Sequence, residues 1–131
     1  LNLSLSKICI MATAAVLSFS GCGPQAPPLV ECSGRVQFGG KPITAGSIYL
    51  HPAKGNSFVD DTPGCLLQLD GSFVIRTFPW GPGVPPGKYV ATLDPRSAER
   101  VGKPEYATVT GSPWKLDVPE TGLKEKLLTV E

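Results

Sequence analysis

From Val30 onward the dominant pattern is alternation of apolar and polar positions with a period of two, which is the signature of half-buried strands. Val30, Cys32, Val36 and Phe38 fall on one face of the first run, opposite Glu31, Arg35 and Gln37, and Gly39-Gly40 marks a turn after it. Ser47 to His51 is entered through Ala45-Gly46, turns Ile48 and Leu50 inward, and stops at Pro52, which has no N–H to give a sheet. Cys65 to Leu69 and Ser72 to Thr77 flank Asp70-Gly71, a pair favoured in type I′ hairpin turns because it accepts positive φ. Pro85-Pro86-Gly87-Lys88 delivers the chain into Tyr89 to Leu93, whose Tyr89, Ala91 and Leu93 share a face, as expected of a central strand. Trp114, Leu116 and Val118 alternate against Lys115 and Asp117, and Lys126 to Val130 is the final run. These runs predict an all-β fold, a seven-stranded antiparallel β-sandwich over residues 30–131. Between the fifth and sixth runs, Asp94 to Pro113 reads as a long polar loop, the kind of segment in which recognition often resides.

Composition sharpens this in two ways. Fifteen Gly and 14 Pro in 131 residues, scattered singly between short apolar runs, are turn punctuation and nearly exclude long helices. A formal net charge of +1 offers nothing that steers a nucleic acid or an anionic membrane.

The first 21 residues have a different character. Lys7 precedes an apolar stretch from Ile8 to Phe19, and the small residues Ser20 and Gly21 precede Cys22. The stretch is too short to remain in a bilayer as a spanning helix. Ser18-Phe19-Ser20-Gly21-Cys22 resembles the lipobox of a bacterial lipoprotein signal, with Phe19 where Leu is preferred. The resemblance implies that residues 1–21 are removed and that Cys22 carries a diacylglyceryl group and an N-acyl chain of the palmitate type. The competing reading is an ordinary cleaved signal ending near Gly21 or Gly23. Gly23, in place of the Asp that retains such proteins in the inner membrane, favours the outer membrane. Residues 22–29 contain Pro24, Pro27 and Pro28 and are expected to form an extended tether, about 3.1 Å per residue and roughly 20 Å long.

Several motifs in order, Gly34-Arg35-Val36, Gly40-Lys41-Pro42, Gly46-Ser47-Ile48, Asp70-Gly71-Ser72-Phe73, Pro85-Pro86-Gly87-Lys88-Tyr89 and Ser112-Pro113-Trp114-Lys115-Leu116, resemble the transthyretin-like, carboxypeptidase-regulatory-like domain of small planctomycete lipoproteins. Leu50 stands where an aromatic is usual, and Trp114 where Leu is usual. The resemblance implies the seven-stranded sandwich and carries little about activity.

The residues that would carry chemistry are mostly missing. His51 is the only His, so neither an iron site built from two His and two Tyr nor a zinc site is expected, and no cofactor is implied. The chain also lacks the Tyr-Arg-Gly-Ser ending of hydroxyisourate hydrolases, an Asn placed for an isopeptide crosslink, and a phosphate loop, because Gly81-Pro82-Gly83 is not followed by Lys-Ser/Thr. No nucleophile and base pair off, so a non-catalytic protein is expected. His51 faces solvent by parity, Asp60-Asp61 lacks the spaced oxygens a calcium site requires, and Arg96, Arg100 and Lys103 mix with Glu99 and Glu105 as a solvated face. Cys32 and Cys65, both turned inward by parity in an exported domain, form a candidate disulfide. Trp80, in Phe78-Pro79-Trp80-Gly81, is either a lid on one end of the sandwich or a stacking platform for a sugar or peptide. The expected role is a lipid-anchored, structural or interaction module of the cell envelope, facing the periplasm or cell surface. The alternative is a carbohydrate- or peptide-binding module that uses the loops around Trp80 and Asp94 to Pro113.

Overall fold

The structure, a computed structural model, describes residues 26–59 and 61–131. The expected leader, the expected lipid site Cys22 and the first part of the expected tether lie outside the described residues, as does Asp60.

Among the described residues, ten strands make up two sheets. They are β1 (Cys32–Phe38), β2 (Lys41–Pro42), β3 (Ser47–Pro52), β4 (Gly64–Leu66), β5 (Ser72–Val74), β6 (Arg76–Thr77), β7 (Gly81–Pro82), β8 (Gly87–Leu93), β9 (Lys115–Val118) and β10 (Leu123–Val130). A six-stranded antiparallel sheet runs in the order β7-β6-β4-β3-β8-β9, and a four-stranded mixed sheet places β1 between β10 on one side and β2 and β5 on the other. Cys32, Val36, Phe73, Leu128 and Val130 of the mixed sheet share one core with Ile48, Leu50, Tyr89, Ala91, Leu93, Leu116 and Val118 of the other, the layout of an all-β sandwich. β8 is the internal strand that its alternation predicts: it pairs with β3 and β9, and Tyr89, Ala91 and Leu93 are all buried while Lys88 is exposed. The Tyr89 hydroxyl donates to the Pro85 carbonyl at 2.6 Å, fixing the turn that launches the strand.

The structure departs from the sequence-based expectations in four places. Two-residue strands, β2 and β7, are added, and the run from Ser72 to Thr77 splits at Ile75, β5 pairing with β1 and β6 with β4 in the opposite sheet. The sandwich is not antiparallel throughout, because β1 and β10 run parallel, with a register irregularity opposite Cys32 to Gly34. The Asp70-Gly71 turn is not type I′. Gly71 N–H donates to the Gln68 carbonyl at 2.9 Å and Gln68 N–H to Ser72 at 2.9 Å, and only Gly71, at φ 77°, is left-handed. This is a three-residue loop ending in a left-handed glycine, and it joins strands of different sheets. Leu69, which shares the inward parity of Cys65, is therefore lifted onto the turn and is 89% exposed, and Phe38, at the end of β1, is 39% exposed.

The segment after β8 is folded. Helix α1 (Pro95–Arg100) and a 3-10 turn (Pro104–Ala107) pack Ala98 and Tyr106 onto the core.

Candidate functional site

The most distinctive surface surrounds the β6–β7 hairpin. Arg76 pairs with Pro82 and Thr77 with Gly81, and the connecting Thr77-Phe78-Pro79-Trp80 turn has a cis Phe78–Pro79 bond and closes with a Trp80 N–H to Thr77 carbonyl bond of 2.9 Å. Thr77 is fully buried and its hydroxyl donates to the Gly83 carbonyl at 2.8 Å, so the base of the turn is fixed. Its apex is not buried: Phe78 is 82% exposed.

A groove of about 530 Å³ runs from this apex over the outer face of the six-stranded sheet, with Tyr49, Asp61, Gly64, Arg76, Phe78 and Pro79 among its walls. Tyr49 reaches it because it alternates with the buried Ile48 and Leu50 on β3. Gly64 lets the ring settle there, since a Cβ at that position would meet the Tyr49 ring at 2.8 Å and the Ile48 carbonyl at 2.8 Å. Two aromatic faces, a guanidinium and a carboxylate give the groove apolar surface beside hydrogen-bonding groups of both signs. Trp80, the residue singled out from sequence, is half-buried and not part of these walls. The groove takes none of its walls from Asp94 to Pro113, so the two loops expected to act together are not brought together here.

Asp94 to Pro113 is a structural cap. The Asp94 carboxylate accepts from the Ser97 backbone N–H at 3.0 Å as the N-cap of α1, and from the Ser47 N–H at 2.8 Å at the start of β3. Burial alone would raise its pKa, but the hydrogen bonds from Ser97 and Ser47 together hold it below the usual carboxylate value. Gly46 leaves room for this junction, because a Cβ there would overlap the Ser97 hydroxyl. Tyr106 and Trp114 meet edge to face, with centroids 4.9 Å apart, and both are buried. Trp114 Nε1–H donates to the Thr129 carbonyl at 3.1 Å, and the Tyr106 hydroxyl accepts from Glu131 N–H at 3.1 Å, so the pair covers the outer edge of β10. Arg96, Glu99, Arg100 and Glu105 are exposed and Lys103 is half-buried, so they form the mixed-sign outer face of this cap.

The other sequence candidates resolve as follows. His51 alternates with the buried Ile48 and Leu50 as its parity predicts and is half-buried: its Nε2 lies 2.9 Å from the Thr92 hydroxyl, and burial lowers its pKa. Asp61 accepts from the Thr62 N–H at 2.7 Å, and among the described residues no group of three His, Cys, Asp or Glu is placed to hold a metal ion. Cys32 and Cys65, the candidate disulfide pair, stand as free thiols on strands of opposed sheets, Cys32 buried and Cys65 half-buried. Burial pushes Cys32 up to about 12, with the neighbouring Cys65 and Glu31 adding to it, and Cys65 up to about 11. Both are held as small apolar side chains. Among the described residues no helix is long and apolar enough to cross a membrane. No family model, curated protein or solved structure matches the chain.

Proposed function

We propose that the chain is a lipid-anchored protein of the cell envelope whose transthyretin-like sandwich is a non-catalytic structural or interaction module, held at the outer membrane through Cys22. The observation that carries the reading is the Ser18-Phe19-Ser20-Gly21-Cys22 lipobox followed at once by a short Pro-rich tether. That tether runs directly into a fixed point of the fold, where Val30 and Val84 exchange two backbone hydrogen bonds of 2.9 Å, so little slack separates lipid and domain. Cys22→Ala is expected to move the protein from the membrane to the soluble fraction and to abolish labelling by an alkyne fatty acid. Unchanged membrane partition would overturn the reading.

A second reading, a module that binds carbohydrate or peptide, is favoured by one observation, the groove in which the Tyr49 and Phe78 rings stand beside Arg76 and Asp61. On this reading, binding on a glycan or peptide array is lost in Tyr49→Ala. Absence of binding by the unaltered protein counts against it.

A further inference from the structure

We infer that the Thr77–Trp80 turn is a second, non-covalent contact with the bilayer, Phe78 lying in the interface of the membrane that holds the Cys22 lipid and thereby fixing the orientation of the domain. The inference rests on the lipid-anchored reading above and adds to it a surface and its partner.

Position carries the first part of the argument. A Cβ built on Gly83 stands 3.0 Å from the Leu29 Cβ and 2.9 Å from the Val30 carbonyl, so the tether arrives against Gly83. The Gly83 carbonyl accepts the Thr77 hydroxyl at 2.8 Å. Phe78 is the next residue along. The turn that carries the exposed ring is therefore tied, through the Thr77 hydroxyl at its base, to the residue against which the tether arrives. From Cys22 to Leu29 a polyproline-type chain spans roughly 22 Å at about 3.1 Å per residue, and full extension bounds the distance from the lipid to Leu29 at roughly 25 Å. The interfacial layer on each side of the hydrocarbon itself occupies about 5–8 Å of that distance. The turn is within reach of the interface whenever the tether is less than fully extended.

Chemistry carries the second part. Phe78 is 82% exposed, Pro79 is exposed and Trp80 is half-buried, an apolar and aromatic tip on a turn whose base is fixed. Trp and Tyr settle at the level of the headgroups, Phe is among the side chains that interfacial segments bury at the headgroup/acyl boundary, and a ring held on a fixed turn loses little freedom on doing so. The charged groups that line the groove beside it, Arg76 and Asp61, oppose one another in sign. The contact is thus with the apolar boundary of the bilayer and is independent of anionic headgroups.

Leu69 supplies an internal control. It is 89% exposed, but its turn packs through Gly71 against Val36 and Pro42, toward the far end of β1 from the tether. Exposure alone does not distinguish the two residues, and proximity to the tether does.

The test uses the full lipidated chain reconstituted into phosphatidylcholine vesicles containing phosphatidylcholine brominated at carbons 6 and 7. Vesicle flotation and tryptophan emission are read together. The expected result is loss of the Trp80 share of the emission, a loss absent in Trp80→Phe, in which the buried Trp114 still reports. Phe78→Asp restores the emission while the protein still floats, whereas Leu69→Asp leaves the quenching in place. The same quenching is expected with and without phosphatidylglycerol. Flotation without quenching overturns the inference alone, as does quenching that survives Phe78→Asp, is lost in Leu69→Asp or requires phosphatidylglycerol. Failure of the unaltered chain to float overturns the anchored reading and the inference with it.

Discussion

Of the segments that leave the sheets and return, two invert what length and polarity suggest. Asp94 to Pro113 is long and charged, yet it buries Ser97, Ala98 and Tyr106 and is bonded to β3 through Asp94 and to β10 through its Tyr106–Trp114 pair. Thr77 to Trp80 is a single turn, yet it holds Phe78 out in solvent on a base that cannot move without exposing the Thr77 hydroxyl bond. A long segment can supply enough apolar side chains to become part of the core, and then its surface charges are only the outside of a cap. A short turn has no such option. What it displays is decided by one or two residues, and an apolar one left exposed there is the more informative feature.

The contrast makes three predictions about stability. Tyr106→Ala is expected to have the largest effect, about 3–5 kcal/mol in urea melts, through loss of a buried aromatic and its contact with Trp114. A loss under about 1 kcal/mol would mean that the long segment is not part of the core. Asp94→Ala comes next, at about 1–2 kcal/mol, since it removes a helix cap and leaves Ser47 N–H without its acceptor. The carboxylate has a lower pKa folded than unfolded, so its contribution is present above the ordinary value of 3.8 and is lost as pH falls through the folded value. Asp94→Asn should accordingly lose part of the acid dependence seen in the unaltered chain between neutral pH and pH 3. Phe78→Ser is the smallest, within about 0.5 kcal/mol, because an exposed ring contributes little to folding. A loss as large as that of Tyr106→Ala would show that the short turn, too, is structural.

Much of the fold is written in the alternation of side chains. β3, β8 and β9 lie where the period of two places them, with Ile48, Leu50, Tyr89, Leu93, Leu116 and Val118 inside. Alternation reports which side of a strand is buried and is silent about its neighbours. The run through Phe73, Ile75 and Thr77 alternates without a break because both sheets face the same core, so the switch of hydrogen-bond partners at Ile75 leaves no mark in it. For the same reason the parallel pairing of β1 and β10 was not legible. Helix α1 did leave a signal, Asp94 as cap with Pro95 at the first helical position, but a reading of the whole segment as polar loop passed over it. At the candidate groove, the sequence drew attention through Trp80 to the turn that supplies a wall, while the ring that lines the groove is Phe78. Trp80 is half-buried, whereas Phe78 is displayed, and Tyr49 was deducible from the outward parity of β3. Which groups converge on the groove depends on β4 and β6 becoming neighbours, a fact of topology.

The pairing of β1 with β10 also has a kinetic meaning. Partners such as Cys32 and Leu123 lie about ninety residues apart along the chain, so the mixed sheet closes only after a very large loop has been brought together. Contacts of that separation slow folding by postponing their energetic return until late in the process. A polypeptide is synthesised N-terminus first, so this separation also orders the assembly in time. β1 is made early and stays without its parallel partner until β10 follows, so the mixed sheet cannot close before β10 has been made.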